Sequence, residues 1–177
     1  SQYFIDNYAN SLSQYPLVSS QINITRIEVW VTNRNASTDD FRSIVAFADI
    51  GESETDVLVN QSGAVQPTNP PMVTGGNLPT NEPNDISTLL TPNSGIRDIS
   101  TVDGTLASFN MQQGTDYSLL QNARKLDPNE YRLNSQLGFI SLNRRLNDGE
   151  VLAVAYEYTV AGNVNGSSQK SFKVGEF

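Results

Sequence analysis

Across residues 130–163 the chain reads EYRLNSQLGFISLNRRLNDGEVLAVAYEYTVAGN, with apolar residues recurring largely at every second position. A period of two is that of a strand, whose successive side chains point to opposite faces. Residues 151–160 carry it furthest. Leu152, Val154, Tyr156, Tyr158 and Val160 share one face, while Val151, Ala153, Ala155, Glu157 and Thr159 share the other. The large face is expected to meet the core, and the small one a closely approaching layer. Two turn signals divide the stretch. One runs from Asn134 to Gly138, between YRL and FISL; the other is Asn147-Asp148-Gly149, where glycine tolerates positive φ. The pattern predicts a contiguous antiparallel meander over 130–160, with Gly162 and Gly166 turning the chain into a last strand at 170–177. Such a chain belongs to a mainly β, antiparallel class.

The first sixty residues extend this reading. Phe4, Tyr8 and Leu12 stand four apart on one helical face until Pro16 ends the pattern. A long strand follows over 21–33 and a second over 42–50 (RSIVAFADI). In the second, Val45 and Phe47 oppose Ile44, Ala46 and Ala48, so both faces are apolar and cover on both sides is expected. Residues 34–41 join the two strands, and antiparallel neighbours are the simplest arrangement. Residues 61–98 hold most of the prolines and scarcely any periodicity, which marks a long irregular surface connection. Short helices are expected at 84–91, capped by Asn84 or Asp85, and at 116–124, capped by Asp116. The expected architecture is a single domain over 1–177, mainly β, an antiparallel sheet or sandwich-like fold with a few short helices and a long Pro-rich connection; α+β is the alternative. It divides into a helix and two strands (1–60), the irregular connection (61–98), and a short helix with the meander (99–177). FKVGEF at the end reads as a strand still running, as in a domain cut from a longer protein.

Composition then removes whole classes of chemistry. Net charge is −8, and a counterion-releasing nucleic-acid surface needs clustered Lys and Arg that an acidic chain lacks. Histidine and cysteine are both absent, which excludes the usual general base, the Ser-His and Cys-His arrangements, thiolate metal sites and disulfides. No run of about 18 apolar residues exists for a membrane-spanning helix. DIGESETD gathers Asp49, Glu52, Glu54 and Asp56 beside Gly51, but the spacing fits no EF-hand loop, and a solvated turn is the better reading. Nothing marks out a carboxylate pair for glycoside hydrolysis. GGN at 75–77 lacks the lysine and helix start of a phosphate loop. Arg144 and Arg145 suit a rim salt bridge better than a ligand clamp. No catalytic residue, cofactor or metal is expected, and the chain reads as a soluble non-enzyme.

One stretch stands apart. ITRIEVWVTNRN, residues 24–35, places Arg26, Glu28 and Trp30 on one strand face and Ile27, Val29 and Val31 on the other. The β-branched set should face the core, beside Val45 and Phe47. A tryptophan on a wet strand loses the burial that normally justifies it, so the Arg26–Glu28–Trp30 face should be covered too. The cover would be the 61–98 segment or a partner, with Arg26 and Glu28 pairing beneath it. These three residues form the candidate packing or partner face.

Four phrases also carry a resemblance. ITRIEVWVTNR, RSIVAFADIGE, YRLNSQLGFISLNRRLNDGEVLAVAYEYTV and VGEF occur in this order and resemble the SprA family (Sov in some members), the very large outer-membrane protein of gliding motility and type IX secretion. The likeness covers residues 1–60 and 125–177 well and the proline-rich middle weakly; SSQKSF before KVGEF is bulkier than the short hairpin of that pattern. It implies a huge β-barrel in the cell outer membrane through which folded cargo leaves the periplasm, so its work is protein transport rather than catalysis. This chain resembles a soluble domain of that family rather than barrel wall, which would alternate lipid-facing strands with aromatic girdles. The implied role is structural, gating or partner-contacting, and the implied partners are the rest of the barrel, other secretion-system subunits and secreted cargo. The alternative is a stand-alone surface adhesin or glycan-binding β domain, which would expose Tyr131, Phe139 or Trp30 in a concave patch.

Overall fold

The computed structural model describes residues 2–33, 41–48, 50–51, 78–81, 90–164 and 167–177. Its elements are α1 (Gln2–Ser11), β1 (Ile22–Val31), β2 (Phe41–Phe47), a 3-10 turn (Ser94–Arg97), α2 (Val102–Ser108), β3 (Tyr117–Lys125), β4 (Tyr131–Asn134), β5 (Phe139–Leu142), β6 (Leu152–Val164) and β7 (Ser167–Val174). Five strands form one sheet in the order β2-β3-β1-β6-β7, and β4 and β5 form a second. Every pairing between these strands is antiparallel. The chain is mainly β.

β1 is the spine of the large sheet, and a bulge explains how it buries one face throughout. Ile24 pairs with Tyr158 and Arg26 with Glu157, so two steps on β1 match one on β6. The extra residue switches parity. Ile22 and Ile24 enter the core before it, and Ile27, Val29 and Val31 after it. Without the bulge, a period of two would send one of these sets to the opposite face.

Two elements cover that face. α1 lays Phe4 edge-on against Tyr156 and Tyr158, each 5.4 Å away. The β4–β5 hairpin packs Tyr131, Ile140 and Leu142 over Val29 and Val31. Its turn is tied down: the Ile24 N–H donates to the Ser135 carbonyl at 2.9 Å, and the Ser20 hydroxyl to the Gln136 carbonyl at 2.6 Å. A third cluster, around Val102, Leu106, Met111 and Tyr117, gathers Val45 and Phe47 under α2.

Several expectations are corrected here. Residues 117–125 are a strand, not a helix. The Asp116 carboxylate does accept a backbone N–H, but from Gln112 behind it at 2.7 Å, which closes a loop instead of capping a helix ahead. Cross-strand partners then decide the conformation: Val45 faces Leu119 and Phe47 faces Tyr117. β1 and β2 are consequently not neighbours, since β3 lies between them. Val45 and Phe47 pack under α2, away from Val29 and Val31. β2 is an edge strand whose start, Phe41 to Ser43, is exposed, while beyond it Val45 and Phe47 pack on one face and Ile44 and Ala46 on the other, so residues 44–47 are partly covered on both sides. Nor is the meander contiguous. β6 pairs with β1 along one edge and, from Tyr156 on, with β7 along the other, while β5 pairs with β4 in a separate sheet. Gly162 lies inside β6, at a register irregularity between Ala161 and Val164, and the last strand begins at Ser167. α1 buries Phe4 and Ser11, whereas Tyr8 is exposed and meets Phe139 edge-on at 5.7 Å. The turns at Asn134–Gly138 and Asn147–Gly149 do form, with Gly138 at φ 72° and Gly149 at φ 75°. The helix expected at 84–91 falls, up to residue 89, outside the described residues.

Candidate functional site

The polar face of β1 gathers charge from three strands. Glu28 is 8% exposed, and its carboxylate is surrounded by donors. Oε2 accepts from Arg42 Nη2 at 2.8 Å and from the Trp30 indole N–H at 3.2 Å. Oε1 accepts from Lys125 Nζ at 2.7 Å, with Arg26 Nη2 further off at 3.7 Å. Burial alone would push the Glu28 carboxyl upward; the Lys125 hydrogen bond and charge, then Trp30 and Arg42, outweigh it and hold the group below its ordinary value. Among the described residues, three positive charges pair with Glu28, a local surplus of two.

Trp30 is 6% exposed. Leu120 and Ala123 of β3 pack against it, with Ile44, Ala46, Val151 and Ala153 around them. The Arg42 guanidinium lies over its ring at 4.2 Å from the centroid, a cation–π contact that shields the remaining face. Arg26 is turned toward the chain end, its guanidinium 3.9 Å from the Phe177 ring centroid. The three residues singled out by sequence therefore do come together. Arg42 and Lys125 were the missing members. A carboxylate in mid-strand signals the need for a cation, but only the strand order reveals which ones reach it.

Beside this cluster lies a cavity of about 480 Å³. Trp30, Ile44 and Ala153 contribute apolar lining, and Arg42 stands at its wall. Arg97 and Glu176, also lining it, pair at 2.8 Å. Arg144 pairs with Glu150 at 3.0 Å, consistent with a structural salt bridge. Among the described residues no group of three or more carboxylates is arranged to hold a metal, and the acidic residues Asp49, Glu52, Glu54 and Asp56 lie outside them. No helix is long and apolar enough to cross a membrane, which says nothing of spanning by strands.

Fold and site together define a mainly β domain whose principal polar feature is a carboxylate locked among cations on a sheet face. The chain belongs to the SprA_N family, described as motility related/secretion protein, whose family model matches residues 1–147. The match runs through the proline-rich middle and stops just before β6. No curated protein matches the chain.

Proposed function

We propose that this domain is a non-catalytic, partner-contacting module of an outer-membrane translocon for type IX protein secretion and gliding motility. Its partners would be the rest of the barrel, other subunits of the secretion system and secreted cargo. The carrying observation is the positive surplus around Glu28 in a chain of net charge −8 that belongs to a motility and secretion family. A surplus of charge at a sheet surface favours encounter with an acidic partner and sets its orientation. Arg26 and Arg42, 56% and 43% exposed at their side chains, remain reachable. Of the aromatics the glycan-binding alternative would use, Trp30 is covered by Arg42 and Tyr131 packs against the core, whereas Phe139 is exposed beside Tyr8.

The test replaces Arg26 by Glu and, separately, Arg42 by Gln in the full-length protein of the native cell. Secretion and gliding should fall severalfold, while the Arg26→Glu chain keeps its melting temperature within a few degrees, as surface changes usually do. Normal secretion and gliding in both variants would refute the proposal. A specific signal on a glycan array would replace it with the adhesin reading.

A further inference from the structure

Two backbone edges line the cavity, and neither is paired among the described residues. Residues 42–47 all line it. They lie on β2, the outermost strand on that side of the sheet, which pairs only with β3. Consecutive residues lining a wall mean that backbone, and not only one row of side chains, forms it. Across the cavity residues 152–155 do the same on β6. There β6 is paired with β1 alone, because its pairing with β7 begins only at Tyr156 and Val174.

The open length of β6 is built, not frayed. Gly175, with φ at 82°, turns the chain as it leaves β7. The Asn81 side chain grips Gly175 from both sides: its Oδ1 accepts the Gly175 N–H at 2.7 Å, and its Nδ2 donates to the Gly175 carbonyl at 3.1 Å. Gly175 thus packs against Ala155 without continuing the ladder, and the pairing with β7 stops short of residues 152–155.

We infer that the cavity between β2 and the start of β6 is a strand-accepting slot, occupied by an extended segment of a partner polypeptide that is apolar at alternate positions and carries a carboxylate near Arg42. The inference rests on the partner-contacting reading above and specifies its mode. Exposed strand edges are templates for another strand, and edge addition is a recurring way of binding peptides. The size agrees. A cavity of about 480 Å³ has room for a short extended segment beside the four residues 152–155 that line it on β6. The topology agrees as well. Adding one strand beside both β2 and β6 would join β2-β3-β1-β6 into a ring of five, the strand number of small Greek-key barrels such as the OB-fold. Arg42 sets the charge of the guest: its guanidinium lines the slot, belongs to the cluster with surplus positive charge, and is 43% exposed at its side chain.

The probe is the peptide acetyl-TVEVTVT-amide, titrated into the ¹⁵N-labelled 177-residue chain, with amide hydrogen exchange read residue by residue. Outward amides among 43–47 and 152–155 should slow at least tenfold at saturation, with amides within β1 unchanged. A version N-methylated at alternate amides keeps the side chains but loses the donors, and should bind at least tenfold more weakly. Slowing on one wall only, no slowing at millimolar peptide, or equal binding of the methylated peptide overturns the slot. So does finding that these amides already exchange as slowly as β1 in the free chain, because the edges are then taken by the chain itself. Each of these failures leaves the Arg26 and Arg42 secretion assay standing, whereas failure of that assay with a working slot removes the role of the charged face in secretion and leaves a peptide-binding slot.

Discussion

Trp30 and Gly138 show how much single positions carry. Trp30 is enclosed by Leu120, Ala123 and the Arg42 guanidinium, so its removal both exposes apolar surface and releases Arg42 from its ring. Trp30→Ala should destabilise the chain by roughly 3–5 kcal/mol, the usual cost of deleting a buried aromatic. Chemical denaturation measures it, and a loss under about 1 kcal/mol would mean the ring contributes little packing. Gly138 is constrained twice. Its φ of 72° disfavours any side chain, and a Cβ there would lie 2.1 Å from Phe4 Cδ1. Left-handed backbone costs an L-residue roughly 1–2 kcal/mol, and overpacking another 1–3 kcal/mol. Gly138→Ala should therefore lower stability by about 2–5 kcal/mol, and trimming Phe4 to Leu in the same chain should recover part of it. A double variant no more stable than Gly138→Ala alone would show that the aromatic contact is not the cause.

At the scale of elements, what the sequence discloses is local. The hairpin turns were readable because Asn, Asp and Gly at fixed offsets demand them. β1 and β6 were readable because β-branched and aromatic residues alternate along them. β3 was not, because YSLLQNARK has no strict period, and the carboxylate before it looks like a helix cap. Its conformation is imposed from outside, by six paired positions along β2 and by burial of Tyr117, Leu120 and Ala123. The same limit hid half of the charged site, since Arg42 and Lys125 reach Glu28 only through a strand order that no local pattern encodes. Asp116 allows the distinction to be tested. Asp116→Ala should cost about 1–3 kcal/mol by removing the buried, charged acceptor of the Gln112 N–H, yet helical content in far-ultraviolet circular dichroism should stay unchanged. A clear drop in helical signal would restore the capping role.

For the whole molecule the acidic side chains set the response to pH. Glu28, Glu130, Glu150 and Glu176 all titrate below their ordinary value of 4.5. For Glu150 the value falls to about 2, first through the Arg144 hydrogen bond and then through the Asn147 N–H. For Glu130 and Glu176 the first cause is likewise a hydrogen bond from arginine, Arg124 and Arg97 in turn. A carboxyl depressed in the folded state binds fewer protons there than in the unfolded chain, so its contribution is complete above 4.5 and disappears as pH drops through the folded value. Four such groups act in the same direction. Their contribution should hold the urea midpoint nearly level above about pH 5.5 and make it fall between about 4.5 and 2. The Arg144–Glu150 pair is the group to remove, because its low value stretches the decline toward pH 2. In Glu150→Gln the fall below pH 4 should become shallower, while the midpoint at pH 7 drops modestly, since the Arg144 side of the pair is open to solvent. An unchanged slope below pH 4 would mean that this pair adds nothing to folding, and that the acid response comes from Glu28, Glu130 and Glu176 instead.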